Sequence, residues 1–176
     1  MPSGGRAALM PRKTAPRAPV QTAKRPTPRQ HTQALADAHA RCAAQGAQLT
    51  EQRALVLELL LARKGAAKAY ELLADMRELN PGVAPMTVYR ALDFLVEQGL
   101  VHKVAATSSF VVCKHGPHPH NDPVFLVCGR CGDATEWDNP GLGSAVEQAL
   151  SGLGLHAHGM EISVDCARCQ AQQPAR

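Results

Sequence analysis

Two paired-cysteine motifs, Cys128-Gly129-Arg130-Cys131 and Cys166-Ala167-Arg168-Cys169, constrain this chain more than any other feature. Two residues between paired cysteines let both thiolates turn toward one ion, and four thiolates close a tetrahedral site. The 34 residues between the pairs must therefore fold so that the two pairs meet. A strand stands ahead of the first pair (VFLV, 124–127), and the residues between read as a second strand (DATEW, 133–137), a turn at Asn139-Pro140-Gly141, a helix of about 142–152 and a strand over 155–164 that leads into the second pair. Each pair follows a strand, and strand–strand–helix–strand is a small α+β domain. Structural zinc suits the pattern best; redox pairs and a four-thiolate iron–sulfur cluster are the alternatives. With four protein ligands no position is left for water, so such an ion stabilises the fold and does not catalyse.

The preceding hundred or so residues have a different organisation. Residues 32–46 are Ala-rich and end at Gly46; Thr50 is positioned to cap a helix running through EQRALVLELLLAR; Ala69, Leu72, Leu73 and Met76 repeat at helical spacing over 69–79, closed by Asn80-Pro81-Gly82. A further helix opens near Pro85 and closes before Gly99, with Val88, Ala91, Leu92 and Leu95 on its apolar stripe and Thr87, Arg90, Phe94 and Glu97 on another face. Two short strand-like runs follow, VHKV (101–104) and FVV (110–112). Short helices followed by a hairpin is the winged-helix order, in which the last helix enters the DNA major groove and the hairpin rides the backbone. Lys103, in that hairpin, is placed to contact phosphate.

Charge and cysteine usage narrow the setting. The chain of 176 residues carries a net charge of +4, and Arg6, Arg12, Lys13, Arg17, Lys24, Arg25 and Arg29 lie ahead of the first acidic residue. With six prolines among them, residues 1–30 read as a disordered basic tail with a loose attraction to polyanions such as DNA. No apolar stretch is long enough for a membrane span and no secretory signal is visible, so the expected location is the cytoplasm, where thiols stay reduced and bind metal. Cys42, alone among alanines, reads as a small buried hydrophobe.

A looser constellation surrounds a His-rich segment. Cys113 stands just before residues 114–123 (KHGPHPHNDP), which hold His115, His118 and His120; His102 lies on the first strand of the hairpin and Glu136 on a strand of the C-terminal domain. If the hairpin folds back on that domain these groups meet, and a site with ligands from both domains locks their relative orientation, as a metal-operated switch requires. Taken singly, His102 and Glu136 are ordinary strand residues.

Residues 49–113, with the T-V-Y-R-A-L-D-F-L block, the L-V-H-K-V run and the two paired-cysteine knuckles, resemble the ferric uptake regulator family, and within it the zinc uptake regulator subgroup; the similarity covers about residues 32–172. The resemblance implies an α+β chain: a disordered tail (1–30), a winged-helix DNA-binding domain (31–113), a His-rich hinge (114–122) and a dimerisation domain on a four-cysteine zinc site (123–176). It implies that Cys128, Cys131, Cys166 and Cys169 hold structural zinc and that His102, Cys113 and Glu136 hold regulatory zinc, with a linker histidine as fourth ligand. His120 is the nearer candidate, one position from the family pattern, and His118 is the other. It implies DNA contacts from Tyr89 and Arg90, to which Thr87 and Lys103 are added, with Arg90 placed to read bases.

The function so implied is a zinc-responsive repressor that binds palindromic operators as a homodimer and controls zinc-uptake genes, with no enzymatic activity, membrane or small-molecule substrate. A thiolate, imidazoles and a carboxylate form a soft set suited to Zn²⁺ over Fe²⁺ or Mn²⁺. The alternatives are a relative that senses iron, manganese, nickel or peroxide and, from another class, a zinc hydrolase or deaminase with Glu136 as acid/base. A third metal site at His118, His156 or His158 is also considered.

Overall fold

The computed structural model describes residues 28–63, 65–114, 123–157 and 159–172; residues 1–27 of the basic tail and 115–122 of the His-rich segment expected as a hinge lie outside them. The N-terminal part contains α1 (Pro28–Ala44), α2 (Glu51–Ala62), β1 (Ala67–Lys68), α3 (Ala69–Leu79), α4 (Pro85–Glu97), β2 (Val101–Val104) and β3 (Ser109–Val112). The C-terminal part contains β4 (Val124–Cys128), β5 (Ala134–Trp137), α5 (Pro140–Ser151), β6 (Met160–Val164) and α6 (Ala167–Ala171).

The helices form where apolar spacing and local stops agree. Val56, Leu57 and Leu60 of α2, Leu72 and Met76 of α3, and Val88, Ala91, Leu92 and Leu95 of α4 are all buried in one core with Ala38 and Cys42 of α1. The α4 helix starts at Pro85, whose missing N–H costs nothing in the first turn. It ends at Glu97, and Gly99 just beyond takes a φ of +64°, a conformation that L side chains rarely adopt. Three expectations are corrected. The first helix begins at Pro28, within the segment expected to lack structure, because a proline disrupts a helix only after its first turn. Phe94 faces the core instead of sharing the exposed face of Arg90, with the Arg53 guanidinium 3.6 Å from its ring centroid. The last strand begins at Met160 and not at 155, since β4, its partner, begins at Val124 opposite Met160.

Two three-stranded sheets result, ordered β1-β3-β2 and β5-β4-β6. The first, antiparallel throughout, is the wing. In the second, β4 pairs antiparallel with β5 and parallel with β6. Alternate residues of a strand face opposite sides, and the wing uses both. Val101 and Phe110 enter the helical core, whereas Val104 and Val111 form a second cluster with Phe125, Val127 and Ala134 of the C-terminal sheet. The wing is therefore packed between the helices and the C-terminal domain, which brings residues of both domains to one place.

Candidate metal centres and DNA-facing surface

The parallel register of β4 and β6 sets Cys128 opposite Val164, so both knuckles leave the sheet at the same end. The first knuckle is a tight turn in which Gly132 N–H donates to the Cys128 carbonyl at 2.9 Å and Cys128 N–H to the Asp133 carbonyl at 2.8 Å; Gly132 takes a φ of +72°. The second wraps from Cys166, the N-cap of α6, to Cys169 one turn on. The four Sγ atoms lie within 4.8 Å of one another, and Cys131 and Cys166 are 3.8 Å apart. A tetrahedron with metal–sulfur bonds of about 2.3 Å separates its sulfurs by about 3.8 Å, so the donor set fits a zinc-sized ion.

The surroundings favour negative charge on this cluster unevenly. Cys166 N–H donates to Cys128 Sγ at 3.4 Å. This bond, followed by those from the Cys131 and Arg130 backbone, brings the Cys128 thiol down to about 6. The Cys131 thiol is lowered by the backbone at Asp133 and then by Arg168, whose Nη2 lies 3.3 Å from its sulfur. Cys169 is pushed up to about 12, first by hydrogen bonding with the Cys166 thiol and then by burial. Two arginines thus flank the site: Arg168 faces a sulfur, and Arg130 donates to the Cys169 carbonyl at 3.0 Å.

The second constellation lies between the domains. The side-chain ligand atoms of His102, Cys113 and Glu136 also lie within 4.8 Å of one another. His102 is on the C-terminal-facing side of β2, edge-on to Phe125 with ring centroids 5.5 Å apart. Cys113 follows β3 and is fixed by its N–H to the Leu100 carbonyl at 3.0 Å. Glu136 is buried on β5, 3.5 Å from His102 Nε2, and accepts from Lys114 N–H at 3.1 Å. A carboxylate buried to this degree costs free energy unless a cation or donors compensate it, so imidazole, thiol and carboxylate suit a divalent cation here. His115, His118 and His120 lie outside the described residues. So does His158, whereas His156 is exposed and 3.1 Å from Glu147.

On the winged helix Tyr89 and Arg90 are exposed, Thr87 is partly so, and Lys103 projects from β2. Tyr89 and Lys103 line a common groove with Lys68, Tyr70 and Arg168. That Lys68 and Arg168 share this groove was not legible in the sequence: one precedes a helix and the other sits inside a cysteine motif, and neither position signals a shared face.

This architecture, a winged helix packed by its wing against an α+β domain with a four-cysteine cluster, defines a class of regulators. The ferric uptake regulator family model matches residues 44–164, and the chain belongs to that family. It is similar to the zinc uptake regulation protein of Escherichia coli K12, with 38% identity over 149 residues, covering 81% of this chain and 84% of that protein. Among solved structures it is similar to a zinc uptake regulator complexed with zinc and DNA, at a TM-score of 0.72 and 38% identity over 80% of this chain and 95% of that one. It is also similar to holo XcZur, at a TM-score of 0.68 and 37% identity over 80% and 99%.

Proposed function

We propose that this chain is a zinc-responsive transcriptional repressor that binds operator DNA as a homodimer and controls zinc-uptake genes from the cytoplasm. The observation that carries the reading is the set His102, Cys113 and Glu136, drawn from the wing, its C-terminal edge and the neighbouring domain, at the joint that orients the winged helix. Similarity at 38% identity to a zinc uptake regulator complexed with zinc and DNA supports it. Among the described residues no helix is long and apolar enough to cross a membrane.

On this reading Cys128, Cys131, Cys166 and Cys169 hold structural zinc, and His102, Cys113, Glu136 and His120 hold regulatory zinc. Bound there, Zn²⁺ supplies a cross-link between imidazole, thiolate and carboxylate. Residues 28–113, from the start of α1, are the DNA-binding domain, 114–122 the hinge, 123–176 the dimerisation domain and the residues before α1 a tail. Trp137, Leu153 and Leu155 of the C-terminal domain are exposed apolar side chains, which contact with a second copy of the chain would cover. Thr87, Tyr89 and Arg90 of α4 enter the major groove, with Arg90 reading a purine edge, and Lys103 meets phosphate. No catalysis is assigned to the chain.

The test is DNA binding by the full-length protein under buffered metal. Zn²⁺ should switch on binding to a palindromic operator where Fe²⁺ and Mn²⁺ at their own buffered levels do not. Equal activation by Fe²⁺ would move the chain to an iron-sensing role.

A further inference from the structure

Glu161 stands on β6, outside both metal constellations, and its side chain crosses to the turn of the wing. One carboxylate oxygen accepts from Ala105 N–H at 2.6 Å and the other from Ala106 N–H at 2.8 Å. Two successive amides on one carboxylate fix the orientation of the turn as well as its position, and hydrogen bonds to an ionised acceptor are roughly twice as strong as neutral ones. The turn is itself closed by Ser108 N–H to the Ala105 carbonyl at 3.2 Å. Beside it Val104 and Val111 pack on Phe125 and Val127, so the carboxylate completes a seat that already has an apolar floor.

The position of this contact along β2 gives it a consequence. His102 ties one end of the strand to the C-terminal domain beside Glu136, and Glu161 ties the other end. Lys103 lies between them, exposed and on the opposite side of the strand from His102. We propose that Glu161 is a positioning residue for DNA binding: it clamps the wing turn to the C-terminal sheet and thereby sets where Lys103 meets the phosphate backbone. The clamp uses no metal ligand, so it acts at constant zinc occupancy. It rests on the DNA-binding reading above.

The test is a double-mutant cycle on the full-length, zinc-loaded protein, using a duplex selected from random DNA by the wild type. Glu161→Gln keeps the shape and removes the charge. It should weaken DNA binding by roughly five- to tenfold, within the range of coupling between sites, with unchanged zinc stoichiometry, and should speed amide exchange at Ala105 and Ala106. In a Lys103→Ala background the same change should cost little further, because the residue it positions is gone. Glu161→Asp should recover part of the loss. Wild-type affinity in Glu161→Gln, or an equal loss with and without Lys103, overturns the clamp while leaving the function intact. Failure of the zinc-loaded wild type to bind DNA overturns both.

Discussion

Within the four-cysteine cluster the thiols are poised at different protonation states, and this has a measurable consequence. Cys128 is held near 6 by donors from Cys166, Cys131 and Arg130, below the roughly 8.5 of a free thiol. A lowered group stabilises the fold above its unfolded pKa, and that contribution is lost as pH falls through the folded value, here near 6. Cys169, held near 12 by its hydrogen bond with Cys166 and by burial, keeps its proton throughout the neutral range. Zinc added to metal-free protein at pH 7.5 should therefore displace the Cys169 proton and none from Cys128, and below pH 6 the Cys128 proton should join the release. An indicator-dye titration in weak buffer reads the count. Release of all four thiol protons at pH 7.5 would contradict these assignments.

At the scale of elements, the proposed function gives α4 and the wing separable duties. Arg90→Ala should cost about 1–3 kcal/mol on the preferred duplex and relax discrimination among sequences. Lys103→Ala should weaken all duplexes alike and lower the salt dependence by about one contact. Competition binding against random DNA at two salt concentrations distinguishes them. Leu92, fully buried in α4, anchors the helix to its neighbours, so Leu92→Ala should lower unfolding stability by about 2–5 kcal/mol in a denaturant titration. Much of this organisation was legible in the sequence. Helical spacing and flanking Gly and Pro mark α3 and α4, and the run VHKV marks β2 to the residue. Phe94 was not legible, because helical spacing sets it with Arg90 and Glu97 while its burial comes from packing in the helical core, with Arg53 of α2 over its ring. The start of β6 was not legible either, because a strand ends where its partner ends. Glu161 looks like any solvated strand acid until the wing turn is folded against it.

For the whole molecule, the wing is the joint. One of its faces belongs to the helical core and the other to the C-terminal sheet, so any change in how the two domains meet must move the helical core and α4 with it. The paired cysteines announce the structural centre from sequence alone, since each pair is local. The candidate ligands at the joint are scattered along the chain and become one constellation only when the hairpin folds back; their common role is implied by the family resemblance. Loss of a ligand at the joint and loss of one in the knuckles should accordingly differ. Cys113→Ser should leave a folded protein, whereas Cys169→Ser should lower thermal stability, because structural zinc contributes folding free energy. On the proposed function, zinc at His102, Cys113 and Glu136 governs DNA binding. The most direct test is a binding curve on operator DNA against buffered free zinc, with wild type and Cys113→Ser side by side at equal structural-zinc content. Zinc-dependent binding by wild type that is abolished, or shifted to higher zinc, in Cys113→Ser is the result expected. Superimposable curves would contradict it and would leave the joint without a sensing role.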